Sequence, residues 1–231
     1  MNYRQRALSA AIAVLVLPAC VSIKTVPLVG GRSPSLEGKS ITLAARSMPA
    51  FGLVSSSKMF AGALFGGLGM GAAAASGMNA GRETARQNQL EDPAVAAGKS
   101  LLGELASNNQ MTIVDTAALV TYGQKPEEIA RPYPKVDFVL DVETVNWSTL
   151  YLPLHPSKYG IVYGARLQLI DVKSGRAMAA ASCVHRPDSA PDAPTYDELL
   201  ANQAAKIKEL SKSAAQQCQD ELRSKAFGAA H

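Results

Sequence analysis

The sequence from 136 to 184 alternates between apolar and polar residues with a period of two, which constrains the fold more than any other feature of the chain. A period of two places successive side chains on opposite faces of a strand. The first stretch, 136–147, has Phe138, Leu140 and Val142 at apolar positions and Asp137, Asp141 and Glu143 at polar ones. It predicts a strand with one face on the core and one solvated face.

Two further strands continue the pattern. The stretch 159–171 has Ile161, Tyr163, Ala165, Leu167 and Leu169 at inward positions, with Arg166 and Gln168 outward. Lys173-Ser174-Gly175 is a tight turn, which pairs its flanking strands antiparallel. The returning strand, 177–184, presents a stripe of small residues formed by Ala177, Ala179, Ala181 and Cys183. This region predicts a three-stranded meander on which a helix can lie closely.

A long terminal helix follows a proline-rich link. Thr195 and Glu198 match a capping box, in which each side chain accepts a hydrogen bond from the other residue's backbone amide. Apolar or small residues then recur at helical spacing on one face: Leu200, Ala204, Ile207, Ala214, Cys218 and Leu222. This face is expected to cover the small-residue stripe of the last strand.

The first half of the chain predicts two strands joined by helical segments. The stretch 40–46 alternates as a first strand, and 111–115 is a second short strand candidate. Asp92 and Pro93 fit a helix cap and a first helical position. That helix runs to about Ser107, with Ala94, Val95, Leu101, Leu102 and Leu105 on one side. The connection is long enough to make the two strands parallel neighbours.

The stretch 59–81 contains no charged residue and consists largely of Gly, Ala and Met. Its glycines include pairs spaced four apart: Gly62 and Gly66, Gly67 and Gly71, and Gly77 and Gly81. In a helix this spacing makes flat faces that another backbone can approach closely. Each interior glycine also costs about 1 kcal/mol of helix stability relative to alanine. A packed or self-associating glycine-zipper helix, a flexible loop and a membrane-inserted segment all remain open.

The order of these elements predicts an α+β fold. We expect one domain over 38–226, with a mixed, mainly antiparallel sheet of four to five strands and helices on one face. We expect the Gly/Ala-rich stretch 59–81 to be a helical insertion and 227–231 to be a tail.

Residues 1–19 have the pattern of an export signal. Arg4 and Arg6 precede an uncharged apolar run of about a dozen residues, too short to span a bilayer core of roughly 30 Å. Leu17-Pro18-Ala19-Cys20 resembles the lipobox of bacterial lipoproteins. The resemblance implies that 1–19 are removed and that Cys20 becomes an acylated amino terminus. The alternative is an ordinary secretory signal in which Cys20 is incidental.

The lipoprotein resemblance also implies a cellular location. Val21 follows the cysteine in place of the aspartate that the family associates with inner-membrane retention, so we expect the outer membrane, facing the periplasm. Residues 20–37, rich in turn formers, predict a tether. The element order over about 38–225 resembles the periplasmic domains of curli-secretion and penicillin-binding-protein-activator lipoproteins. That likeness lies in the fold alone and carries no site residue.

Two cysteines remain after Cys20. In an oxidising periplasm Cys183 and Cys218 are expected to form a disulfide. Cys218 lies on the inward face of the terminal helix and Cys183 on the small-residue stripe beneath it. A redox or metal site is the alternative, and it would need more ligands than two distant cysteines provide.

The sequence favours no catalytic chemistry. Removal of Arg4 and Arg6 reduces 23 basic residues to 21, against 19 acidic ones, and no basic cluster with aromatics indicates a nucleic-acid partner. Three scattered histidines and no G-x-S-x-G motif predict no metal, no cofactor and no enzyme. Asp141 and Glu143 share a strand face, which we interpret as solvated rather than as a catalytic pair.

Aromatic residues concentrate around 150–158: Trp147, Tyr151, Tyr159 and Tyr163. They form either the end of a core or a binding edge for another envelope protein, with Trp147 and Tyr151 as its anchors. The leading hypothesis is a membrane-anchored, non-catalytic accessory or assembly component of a cell-envelope complex, with a protein partner or self-association through the glycine-rich segment. The alternative is a carrier for a lipid or cell-wall fragment, with a groove between sheet and helices. An enzyme is the third hypothesis, and it would need a buried cleft lined by His155 or His185 together with a carboxylate.

Overall fold

The computed structural model describes residues 25–28, 35–53, 55, 66–116, 118–152, 154–188 and 190–228. Its strands are β1 (Ser40–Leu43), β2 (Ala45–Arg46), β3 (Thr112–Ile113), β4 (Leu119–Val120), β5 (Phe138–Leu152), β6 (His155–Asp171) and β7 (Arg176–His185). Its helices are α1 (Gly66–Gln87), α2 (Pro93–Asn108), α3 (Pro126–Ala130) and α4 (Tyr196–Phe227).

Within these ranges the main sheet has five strands in the order β3-β1-β5-β6-β7. β1 pairs in parallel with β3 and with β5, whereas β5, β6 and β7 form an antiparallel meander. A second sheet consists of β2 and β4, paired in parallel. The predicted α+β class with a mixed sheet is confirmed, and so is the parallel pairing of the first two predicted strands.

The tight turn between β6 and β7 forms as its residues predict. Gly175 has a φ of 66°, the left-handed region that glycine enters without steric cost, and its amide donates to the Asp171 carbonyl at 2.9 Å. The Asp171 carboxylate also accepts a hydrogen bond from the Ser174 amide at 2.6 Å. These local bonds fix the register of the meander, which carries most of the sheet.

The larger core lies between the main sheet and helices α2 and α4. Ala179 and Ala181 on β7 have no exposed surface, so α4 approaches the sheet closely. The predicted inward residues of β6 are all buried: Ile161, Tyr163, Ala165, Leu167 and Leu169. The predicted Cys183–Cys218 disulfide is present, with the two Cα atoms 5.5 Å apart.

Two inward positions predicted for the helices are wrong. Leu200 is only partly buried, and Leu199 is fully buried instead. The reason is that Ala201–Ala204 leave helical geometry, which shifts the first turn of α4 relative to the rest. Val95 is 46% exposed, because α2 turns Ala94, Leu101 and Leu105 toward the core.

The opposite face of the main sheet is also covered. β2, β4 and α3 form a second layer there, with a smaller core that includes Val139, Ile170, Ile129 and Tyr133. The expectation of a solvated face is therefore wrong at Asp141 and Glu143, which are 0% and 2% exposed. Their burial follows from the second layer, which the alternating pattern of β5 does not reveal.

Helix α1 docks on the chain segment 51–53. Gly52 pairs with the edge of β5, where its amide donates to the Trp147 carbonyl at 2.8 Å. The Leu53 amide donates to the Gly77 carbonyl at 3.0 Å. A Cβ atom added to Gly81 would lie 1.8 Å from the Phe51 carbonyl oxygen. The last glycine pair of the predicted zipper therefore packs within the chain.

The helical interpretation of the glycine-rich stretch is confirmed from Gly66 onward. Positions 59–65, including Gly62, lie outside the described residues. Gly66, Gly67 and Gly71 lie in the first part of α1. Among the helices of the described ranges, none combines the length and apolarity of a bilayer-crossing segment.

The close approach at Gly81 predicts a contrast between two glycine-to-alanine substitutions. Gly81→Ala is expected to destabilise the protein by about 1–3 kcal/mol, since the methyl group meets backbone that cannot rotate away. Gly103→Ala on α2 meets open space and is expected to stabilise by about 0.5–1 kcal/mol. Urea unfolding followed by circular dichroism measures both. Equal effects of the two substitutions would contradict the docking of α1.

Part of the predicted tether is packed against the domain. Val26 pairs with Ala180 on the outer edge of β7 through amide–carbonyl bonds of 2.9 and 2.8 Å. The Leu28 amide donates to the Ala226 carbonyl near the end of α4 at 2.7 Å, and the Leu28 side chain is 5% exposed. Leu36 is fully buried. The division of the chain into signal, tether and domain stays a prediction.

Candidate binding site

Trp147 lies where three parts of the fold meet. β5 changes register between Thr144 and Asn146, and the following Trp147 is 3% exposed beneath α4. Its indole Nε1 donates to the Ser211 hydroxyl of α4 at 2.9 Å, and its ring contacts Phe51 with centroids 4.9 Å apart. The core interpretation of the aromatic residues is confirmed here. Tyr151 is partly buried against the same core.

A groove runs between α2 and α4 above Trp147. Its volume is about 570 Å³, and we call it the helix groove, defined by Leu90, Ala97, Trp147, Ser211 and Ala215. These floor residues are all buried. A volume of roughly 300–1,000 Å³ with an apolar floor is typical of small-molecule sites.

The rims of the helix groove are polar. Lys208 and Lys212 follow one another by a turn on the α4 side, and Gln89 and Glu91 lie on the side where α2 begins. Across one end, the Gln219 amide donates to the Ser100 hydroxyl of α2 at 3.0 Å, which ties the two helices together. The groove therefore offers an apolar surface with two cations on one rim.

Asp92 connects the groove to the sheet. As the N-cap of α2 it accepts hydrogen bonds from the Ala94 amide at 3.0 Å and from the Thr144 hydroxyl at 2.6 Å. Thr144 in turn lies 3.1 Å from the Tyr163 hydroxyl. Burial raises the pKa of Asp92, against the opposing effects of these donors and of Arg46. Burial likewise raises the pKa of Tyr163.

The raised pKa of Asp92 predicts a stability change with pH. Folding favours the neutral carboxyl, so the contribution of Asp92 is full below its unfolded pKa of 3.8 and is lost as pH rises through the folded pKa. Asp92→Asn keeps a capping oxygen and cannot ionise. We therefore expect the variant to gain stability relative to the natural protein as pH rises from about 3 to about 7, measured by urea unfolding.

Asp137 provides a control of opposite sign. The Ser40 amide and hydroxyl donate to its carboxylate and lower its pKa. The stability from Asp137 is present above the unfolded pKa and is lost as pH falls through the folded one. Asp137→Asn is therefore expected to lose stability relative to the natural protein as pH rises. A stability difference between Asp92→Asn and the natural protein that does not vary with pH would contradict the raised pKa of Asp92.

A group of four charged side chains lies under the second layer, and we call Arg46, Asp141, Glu143 and Arg166 the charge cluster. Arg46 bonds Asp141 through two nitrogens at 2.7 and 2.9 Å, and it bonds Glu143 at 2.9 Å. Arg166 pairs with the other oxygen of Glu143. Burial alone would lower the pKa of Arg46, but hydrogen bonding and attraction to the two carboxylates raise it.

The charge cluster holds the second layer on the main sheet. Arg46 belongs to β2 and also donates to the Thr121 carbonyl just after β4, at 2.8 Å. Glu143 accepts from the Gly123 amide at 3.1 Å. A cavity of about 370 Å³ beside the cluster is lined by Arg46, Asp92, Glu143 and Trp147, among others. Two cations and two anions neutralise each other here, so the arrangement indicates a structural role.

The sequence predicted Asp141, Glu143 and Arg166 on polar faces of their strands, but it did not predict that they pair with each other or that Arg46 joins them. The sequence did contain a sign that this face is covered. Val139, Val162 and Ile170 lie on the same face of the sheet as Asp141 and Glu143, and all three are apolar and buried. Strands that are apolar on both faces are typical of a sheet covered on both sides. Arg166 stands directly opposite Glu143 in the β5–β6 register, which a sequence does not display.

The predicted site residues do not converge on one place. Cys20 lies outside the described residues. Cys183 and Cys218 join β7 to α4 through the disulfide. Gly77 and Gly81 pack on segment 51–53. Trp147 lies at the bottom of the helix groove. Across the described ranges, no group of three or more His, Cys, Asp or Glu residues is placed to hold a metal ion.

These features define an α+β domain with a two-helix groove above a buried tryptophan and a second layer held by buried ion pairs. No family model matches the chain, and no curated protein matches it. Solved structures similar to it include the hypothetical protein CT253 from Chlamydia trachomatis, with 10% identity, a TM-score of 0.37, and coverage of 83% of this chain and 96% of that chain.

Two other similar structures are a lipoprotein and the C-terminal domain of LpoB. Lipoprotein GNA1162 from Neisseria meningitidis has 14% identity and a TM-score of 0.27, over 78% of this chain and 96% of that chain. The LpoB C-terminal domain from Salmonella enterica has 12% identity and a TM-score of 0.27, over 66% of this chain and 85% of that chain.

Proposed function

We propose that this chain is a lipoprotein, anchored through Cys20 on the periplasmic side of the outer membrane, that serves as a non-catalytic accessory or assembly component of a cell-envelope complex. The observation that carries the proposal is the exposed, uncharged surface of α1. The helix has no charged residue before Arg82, yet Ala74, Ala75 and Met78 are exposed on it. Exposed apolar surface of this kind is typical of a contact with another molecule.

The composition of α1 supports the same conclusion. Its glycines make an isolated helix weak, so contact along its length is what stabilises it. Gly77 and Gly81 obtain such contact from Phe51 and Leu53. The preceding turns have the same glycine spacing, which lets a second backbone approach. The envelope partner, or a second copy of this chain, contacts α1 on these turns.

Photocrosslinking in cells tests the contact. The full chain carries p-benzoylphenylalanine in place of Ala75 on α1, and a control carries it in place of Ser107, which is exposed on α2. We expect one dominant protein adduct from position 75 that is absent from position 107. An adduct of twice the mass of the chain identifies self-association, and a different mass identifies another protein.

A second variant separates a specific contact from chance collisions. Gly71→Leu fills the flat face of α1, so the adduct from position 75 is expected to disappear while the export and level of the protein stay unchanged. Failure to crosslink at position 75, or the same adducts at 75 and 107, would rule out α1 as the contact surface.

The helix groove favours a second candidate, a binding or carrier module for a lipid or cell-wall fragment. Its apolar floor and the rim cations Lys208 and Lys212 fit an amphiphile with an anionic group. Native mass spectrometry of protein purified in mild detergent is expected to show a retained small molecule. Ala96→Trp fills the groove and is expected to lose it, whereas Val95→Trp, next to the groove and 46% exposed, retains it. Retention by both variants would exclude the groove as the site.

A further inference from the structure

The residues that follow Cys20 reach the domain at one edge of the main sheet. Val26 extends the sheet beyond β7 through its two hydrogen bonds with Ala180. Leu28 continues to the end of α4, where its side chain joins the larger core. The amino-terminal side of the chain is thus bound to the fold from Val26, six residues after the proposed lipid-accepting position.

The sequence separation between Cys20 and Val26 is short compared with the domain. Six residues span at most about 22 Å when fully extended. A folded domain of this length has a radius of gyration of about 17 Å and therefore a diameter of roughly 40 Å. A lipid anchor at Cys20 can therefore place the β7 edge at the bilayer. The tether is too short to place the opposite edge of the domain there.

We propose that the β7 margin, defined by Val26, Arg176, Val184, Arg186 and Lys225, is the surface that faces the bilayer. This inference rests on the proposed lipid anchor at Cys20. Its chemistry fits a lipid surface, because Val26 and Val184 are 38% and 56% exposed and Arg176 and Arg186 are exposed at either end of β7. Arginine side chains bind headgroup phosphates. Lys225 bonds the Ser182 carbonyl at 3.1 Å and is paired with Glu221, so it adds no net charge.

The same arrangement places the docking segment of α1 on the other side of the meander. Gly52 of segment 51–53 pairs with the edge of β5, and Val26 pairs with the edge of β7, so four strand spacings separate them. At about 4.8 Å each, these spacings amount to roughly 19 Å. The α1 dock therefore lies away from the bilayer, toward the periplasm, where a protein partner is accessible.

Fluorescence quenching in vesicles tests the orientation. The full chain is acylated in cells, purified and reconstituted into phosphatidylethanolamine–phosphatidylglycerol vesicles whose headgroups carry a nitroxide quencher. A fluorescent amino acid replaces Val184 on β7 in one sample and Leu119 on β4, 69% exposed, in another. We expect several-fold stronger quenching at position 184 than at 119. A flexible insertion of about twelve Gly and Ser residues between Lys24 and Thr25 is expected to remove that difference.

The outcomes separate the orientation from the anchor. Acylated, vesicle-bound protein with equal quenching at the two positions, or stronger quenching at 119, overturns the orientation and leaves the anchor standing. If the natural protein purified from cells carries no acyl group on Cys20 and does not co-float with the vesicles in a density gradient, both the orientation and the anchor are overturned. Stronger quenching at 184 that persists unchanged after the insertion supports the orientation and overturns the short tether as its cause, because the exposed valines and arginines of the margin would then hold it at the bilayer.

Discussion

Replacing Arg46 by leucine is expected to lower the free energy of unfolding by about 3–5 kcal/mol, because it leaves a buried carboxylate without its partner. Asp141 is fully buried and receives two hydrogen bonds from Arg46, whereas Glu143 retains Arg166. The loss is a large fraction of the 5–15 kcal/mol typical of a folded domain. Urea unfolding of the disulfide-intact protein at neutral pH measures it.

Two comparisons make the result specific to the buried charge. Arg86→Leu removes an exposed ion pair with Glu83 on α1 and is expected to leave the unfolding free energy nearly unchanged. The double variant Arg46→Leu/Asp141→Leu is expected to be more stable than Arg46→Leu alone, since no unpaired buried charge remains. If Arg46→Leu and Arg86→Leu had similar small effects, the charge cluster would not hold the second layer.

Removal of the disulfide is expected to cost about 3–4 kcal/mol, since the cross-link restricts the unfolded chain over a sequence separation of 35 residues. The double variant Cys183→Ala/Cys218→Ala keeps small side chains at both buried positions. Its unfolding midpoint in urea should fall, and its dependence on urea should steepen because the unfolded state becomes more expanded.

The single variant Cys183→Ala is the matched control for the disulfide. It removes the cross-link and leaves one buried thiol at Cys218, which is 2% exposed. We therefore expect its loss of stability to equal that of the double variant within about 1 kcal/mol. A double variant as stable as the natural protein would show that β7 and α4 are held together by packing alone.

Local patterns predicted the elements that depend on neighbouring residues. The turn at Gly175 needs a left-handed residue, the cap at Asp92 needs a side-chain acceptor, and the capping box of Thr195 and Glu198 is complete within four residues. The small-residue stripe of β7 was predicted from a period of two, and the inward position of Cys218 was predicted from a helical spacing of three to four residues. These features depend on contacts a few residues apart, so the sequence displays them directly.

The strand periods, the helix caps and the cysteine pair were determined by the sequence by itself, and the lipid anchor at Cys20 stays a prediction from the sequence. The tertiary structure alone decided that Asp141 and Glu143 are buried, that 51–53 receives α1, and that Val26 pairs with the edge of β7. The physical reason is that an alternating pattern indicates which side chains share a face but not what covers it. Arg46, which covers and neutralises Asp141, lies 95 residues away in the chain.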